Sequence, residues 1–232
     1  MAMADKTTVF LRVPEFQPPK GSGPDKIDWL ARILFAFNLF EARAQEEGKP
    51  LKFGCTLVFP IAVRPFFGEK ITKLIRDTPG ANWGEKGLQR FKDGLIKNPV
   101  LKGDGKEARD SNSGELKIGM GPEFCFIRPT ANHTPDLKYK PWVRNEKNLP
   151  ASQAEVYSGC YGVPVLTMYS YNHPKSGDGI SINISGFQKY KNGEPIGGAG
   201  SDPDKWAESI ADEGAAPDAT KTGAGASGLF SD

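Results

Sequence analysis

Two stretches near the C-terminal end constrain this chain more than any other feature, because their residues sort onto two faces with period two. In Val163–Tyr171 the residues Leu166 and Met168 fall on one parity and Val163, Val165, Tyr169 and Tyr171 on the other. In 180–185, Ile180, Ile182 and Ile184 alternate with Ser181, Asn183 and Ser185. Strand side chains point to opposite faces with period two, so both stretches predict strands with one face in a core. The surrounding segment, Glu155–Gly198, also carries Tyr157 and Tyr161 on the parity of Tyr169 and Tyr171, which predicts a tyrosine-bearing β surface.

The rest of the chain is consistent with a β protein. It contains 27 glycines and 19 prolines, about one residue in five, which argues against a helical bundle and for a loop-rich β fold. Residues 53–63 alternate Phe53, Cys55, Leu57, Phe59 and Ile61 and predict a half-buried strand that Pro60 ends or places at an edge. A strand is expected at about 32–40 through Ile33, Phe35, Phe37 and Leu39, and another through Phe124–Ile127. Ile71, Leu74 and Ile75 sit at helical spacing, and Leu88, Phe91 and Leu95 repeat the pattern more weakly around Gly87 and Gly94. Residues 129–153 read as a long polar loop of the kind that often binds something, and Asn192-Gly193 as a turn.

At least five strands with one or two short helices predict a mainly β fold, an OB-fold-like Greek-key barrel with loop extensions. A β-sandwich satisfies the same inventory. The organisation expected is an N-terminal arm at 1–25, a domain at 26–200 and a flexible acidic tail at 201–232.

Charge is divided unevenly. Residues 201–232 carry Asp202, Asp204, Glu208, Asp212, Glu213, Asp218 and Asp232 against Lys205 and Lys221, so the preceding 200 residues hold 28 basic and 21 acidic side chains. A basic body with an acidic tail is one pattern of nucleic-acid binders, and also of a plain solvated surface. No run reaches the ~18 apolar residues a bilayer span requires, and the first residues lack a signal-peptide pattern, so no membrane and a cytoplasmic location are expected. Cys55, Cys125 and Cys160 are odd in number and widely spaced, as reduced, buried thiols would be.

Single strands of nucleic acid expose base faces and a line of phosphates, which aromatic platforms and basic grooves engage. Tyr157, Tyr161, Tyr169 and Tyr171 supply a platform, and Trp83, Tyr139 and Trp142 extend it. Lys138, Lys140, Arg144, Lys175, Lys189 and Lys191 supply charge near those aromatics. A polyanionic tail could compete for such a groove, with Phe230 and Asp232 as docking residues. Packing of the same tyrosines against helices or loops is the bland alternative. No C-x-x-C or H-x3-H spacing supports a metal, no cofactor motif is present, and Cys160 beside His133 or His173 makes a poor nucleophile pair. A binding protein without catalysis is therefore expected; the rivals are a β-rich protein-interaction or virion module and a metal- or thiol-dependent hydrolase. The residues carry no signal for oligomeric state.

The pieces VYSGCYG, YSYN and NISGFQKYKNGEPIGG resemble the Enc34-like family of phage single-stranded DNA-binding proteins. LFEARAQEEGKPLKFGCTLVFP is similar to the first hairpin of that family, WGEKG to its tryptophan-bearing helical insert, and Gly103-Asp104-Gly105 to its next turn. The resemblance spans roughly residues 30–200; the first 25 residues and His173–Gly177 depart from it. It implies an OB-type fold related to the T7-type phage proteins. It also implies non-sequence-specific binding of single strands in phage DNA replication, recombination or repair, in the host cytoplasm, with phage replication proteins as partners of the tail.

Overall fold

The computed structural model describes residues 8–12, 30–44, 47–174 and 177–196. In chain order the strands are β1 (Thr8–Arg12), β2 (Ala31–Leu34), β3 (Lys52–Gly54) and β4 (Thr56–Pro60). Helices α1 (Arg64–Asp77) and α2 (Glu85–Lys92) follow, then β5 (Leu101–Lys102), β6 (Phe124–Ile127), β7 (Thr130–Asn132), β8 (Trp142–Arg144), β9 (Tyr161–His173) and β10 (Gly177–Lys191).

The two long strands predicted from alternation form an antiparallel hairpin at the centre, with Met168 opposite Ile182 and Tyr169 opposite Ser181. The sheet runs β3-β7-β10-β9-β2-β4-β6-β5, while β1 pairs with β9 and β8 with β10. Cys55 alone separates β3 from β4, so the pairings of β4 through β2 to β9, and of β3 through β7 to β10, lead back to one interrupted strand run. This is the partly open barrel of OB type, and the fold is mainly β with two helices. Thr8–Arg12, inside the segment expected to be an arm, is thus a strand along β9.

The core fills the barrel. Leu166, Met168, Ile180, Ile182 and Ile184 from the hairpin meet Ile33, Phe53, Leu57, Phe59, Cys125 and Ile127. Each such side chain fully removed from water contributes about 1.5–3 kcal/mol. Helix α1 closes one side with Phe67, Ile71, Leu74 and Ile75, at spacings of four, three and one, and Pro near its first turn fits a helix start. Thr78, just past α1, donates its hydroxyl to the Leu74 carbonyl (2.7 Å), which leaves its oxygen to accept from the Ser170 hydroxyl on β9 (3.1 Å). Arg90 of α2 donates to the Asp178 carboxylate on β10, which also accepts from Asn172.

Several expectations change. The strand at 32–40 ends at Leu34, because Phe35 adopts φ 57°, ψ 40° and the chain enters a 3-10 turn at Ala36–Leu39. The run 53–63 is not half-buried: Thr56, Leu57, Val58 and Phe59 are all buried, Val58 facing a second cluster with Leu34, Ala108 and Phe126. Leu95 is exposed and outside α2, which stops before Gly94 (φ 75°). The stretch 129–153 is not only loop, since β7 and β8 lie in it, each parallel to β10. The reversal between β9 and β10 falls between His173 and Gly177, whereas Asn192-Gly193 merely follows the end of β10.

Candidate nucleic-acid interface

On the hairpin's outer face, β9 presents Tyr161, Val163, Val165, Thr167, Tyr169 and Tyr171, because the even-numbered residues point into the barrel. Opposite them on β10 stand Gly179, Ser181 and Asn183, all small or polar. Such residues leave space above the sheet, and β8 fills its border. Trp142 is paired with Gly186, and a Cβ on Gly186 would lie 2.0 Å from the indole ring. The indole therefore rests on bare backbone and remains 41 % exposed.

The result is a groove of about 760 Å³ lined by Lys138, Tyr139, Lys140, Trp142, Thr167, Tyr169, Asn183 and Ser185, together with Ala131, Asn132 and Ile184. Tyr139 is half exposed, and the Lys138 ammonium sits 5.5 Å from its ring centroid. Three aromatics and two lysines predicted from sequence thus meet in one place. The loop after β8 is braced: Glu155 accepts from the Ser152 N–H (2.8 Å) and from Asn145 Nδ2 (3.1 Å), which hold its carboxyl below the usual range. Arg144 faces outward opposite Gln188, with its guanidinium donating to the Asn148 carbonyl of that loop (2.6 Å).

Other predicted residues lie elsewhere. Tyr171 shares the outer face, its ring over Gly179. Tyr161, further along β9, has the Arg32 guanidinium 5.6 Å and the Lys191 ammonium 5.8 Å from its ring centroid; all three are in register across β2, β9 and β10. Tyr157 precedes β9 and packs against the core, its hydroxyl donating to the Gly193 carbonyl (2.8 Å). Lys189 is buried on the inner face, with its ammonium 5.7 Å from the Tyr157 ring centroid. A β-bulge at Ser185 causes this, since it switches the parity that faces inward from even to odd. Trp83 packs partly buried against the core at the turn before α2. Lys175, Phe230, Asp232 and the tail at 201–232 lie outside the described residues.

Sequence reasoning missed Asn132, Thr167, Asn183 and Ser185 as lining residues, and Arg32 as a partner of Tyr161. Thr167 and Asn183 were recoverable from alternation; Asn132 was not, because nothing in 129–153 signals β7.

Elsewhere the chemistry is quiet. Burial pushes the thiols of Cys55 and Cys160 up and that of Cys125 to about 11, so none is poised as a thiolate. Among the described residues no group of three or more His, Cys, Asp or Glu side chains is placed to hold a metal ion, and no helix is long and apolar enough to cross a membrane.

Comparison with known proteins converges on one group. Residues 29–216 match the family described as "Enterobacter phage Enc34, ssDNA-binding protein". Protein p50 of Acyrthosiphon pisum secondary endosymbiont phage 1 is 26% identical over 178 residues, covering 74% of this chain and 86% of that protein. The single-stranded DNA-binding protein from bacteriophage Enc34, solved in complex with ssDNA, superposes with a TM-score of 0.53 at 19% identity, covering 72% of this chain and 86% of that one. The same protein without DNA gives a TM-score of 0.50 at 17% identity, covering 75% and 85%. With most of its length matched, this chain belongs to the family of the Enterobacter phage Enc34 ssDNA-binding protein.

Proposed function

We propose that the protein binds single-stranded DNA without sequence specificity and coats exposed strands during phage DNA replication, recombination or repair. The observation that carries this reading is the groove in which Tyr139, Trp142 and Tyr169 stand beside Lys138 and Lys140 over a floor of small polar residues. Aromatic faces stack on any base, at roughly 1–3 kcal/mol each, and ammonium groups follow the phosphates. Family membership and the Enc34 protein's complex with ssDNA support it further. The row Arg32–Tyr161–Lys191 is a second basic station on the same face, better suited to a phosphate than to a base because its ring already faces two cations. The protein acts by binding alone, in the host cytoplasm, removing hairpins by favouring the unpaired state.

The acidic composition of 201–232 supports a further role for that segment as a tethered competitor for the groove. Phe230 and Asp232 would be its docking end, toward the groove or toward phage replication proteins. In this reading the chain has three parts, 1–25, 26–200 and 201–232.

Fluorescence anisotropy of a labelled oligo-dT across a salt series tests the proposal, with the full chain and a 1–200 truncation. Log K is expected to fall with log salt at about −0.7 per phosphate neutralised, and to rise on truncation. Tight binding that truncation leaves unchanged discards the tail's competition and keeps the binder. Absence of binding at low salt refutes the proposal in favour of a β-rich protein-interaction or virion module.

A further inference from the structure

The groove continues past its own lining. Asn132, at the groove, pairs with Lys52 on β3, and Lys52 exchanges both backbone hydrogen bonds with Arg43 (2.9 and 3.0 Å). Residues directly opposite in an antiparallel pair share a face, so Asn132, Lys52 and Arg43 form one row, about 10 Å long from end to end. At the row's end the Arg43 guanidinium lies 4.5 Å from the Phe37 ring centroid, and Phe37 meets Phe35 edge-to-face at 6.5 Å. Phe35 is 51 % exposed and holds a left-handed backbone (φ 57°) that a bulky residue adopts only at a cost. A phenyl ring kept in water on a strained backbone contributes nothing to the core. It meets Phe37, whose ring lies against the Arg43 guanidinium at the end of the row that starts at the groove.

We propose that Phe35, Phe37, Arg43 and Lys52 form a further base-stacking and phosphate-binding station for the same single strand, reached from the Trp142 groove across β7 and β3. The inference rests on the reading of that groove as the ssDNA site. Phe35 supplies the ring face, Phe37 abuts it edge-on, and Arg43 and Lys52 meet the backbone of the incoming strand. Besides its contact with the Phe37 ring, Arg43 forms an exposed ion pair with Glu41 (3.5 Å), which a phosphate can displace.

The test uses the full-length chain and its Phe35→Asn and Arg43→Gln variants, with oligo-dT of about 6 and about 16 nucleotides. Asparagine tolerates the left-handed backbone, so Phe35→Asn removes the ring without unfolding the turn. Both variants are expected to bind the longer oligonucleotide about tenfold more weakly, and the shorter one within about twofold of wild type. Wild-type affinity of Phe35→Asn for both lengths, or equal weakening at both, overturns the station while leaving the groove. A wild-type chain that binds neither length overturns the groove reading, and this one with it.

Discussion

The two faces of the β9–β10 hairpin are built from the same strands and differ in what they leave available. The inner face is finished: Leu166, Met168, Ile180, Ile182, Ile184 and Phe187 are buried, and even its charged residues have been given neighbours. Asp178 is held by Arg90 and Asn172, and Lys189 lies against Tyr157. The outer face is open: Tyr169, Thr167 and Asn183 line one groove, and Trp142 stands over Gly186. The lesson is that an aromatic or a lysine in this sequence does not announce a ligand. Its neighbours decide whether it serves the fold or a partner, and a partner's site shows as side chains with room above them.

The largest effect is expected where the inner face would be broken. Arg90→Ala leaves the buried Asp178 carboxylate without its main charge partner, and chemical denaturation should show a loss of about 3–5 kcal/mol. On the outer face Trp142→Ala should cost about 1–3 kcal/mol of ssDNA affinity, read by anisotropy, with a denaturation midpoint close to wild type. A large fall in stability would mean that the indole belongs to the fold and would erase the contrast. Gly186→Ala sharpens the same contrast, since its methyl must push the indole away. Affinity should fall toward that of Trp142→Ala, while repacking costs about 1–3 kcal/mol of stability.

Tyr157→Phe is the complementary control. It removes the hydroxyl bonded to Gly193, and about 1 kcal/mol of stability should be lost with ssDNA affinity unchanged. A separate effect, of pH, concerns the thiols. Because burial raises the Cys125 pKa to about 11, its contribution to stability is complete below the unfolded thiol value of about 8.5 and is lost as pH rises through the folded one. Denaturation at pH 7 and pH 10 should therefore show lower stability at the higher pH, and the native protein should resist thiol labelling at pH 8. Rapid labelling of the folded chain would place a thiol on an accessible surface.

Much of this molecule was decided locally. Period-two alternation at 163–171 and 180–185 was enough to place both long strands and to assign Leu166, Met168 and the three isoleucines to the core, because facing is a property of a single strand. Helical spacing placed α1, and the residues at 138–142 identified two of the groove's aromatics before any pairing was known. Alternation failed where the backbone left the regular path. Phe35 turned the expected strand of 32–40 into a turn, and the bulge at Ser185 sent Lys189 inward although its neighbours in sequence predicted a surface cation. It was also silent on partnership. That β8 runs beside β10, that Gly186 lies beneath Trp142, and that Asn132 leads through Lys52 to Arg43 are all consequences of long-range pairing. A sequence fixes which way a side chain points within its own strand; only the pairing of strands decides what stands next to it, and the candidate groove is made of those neighbours.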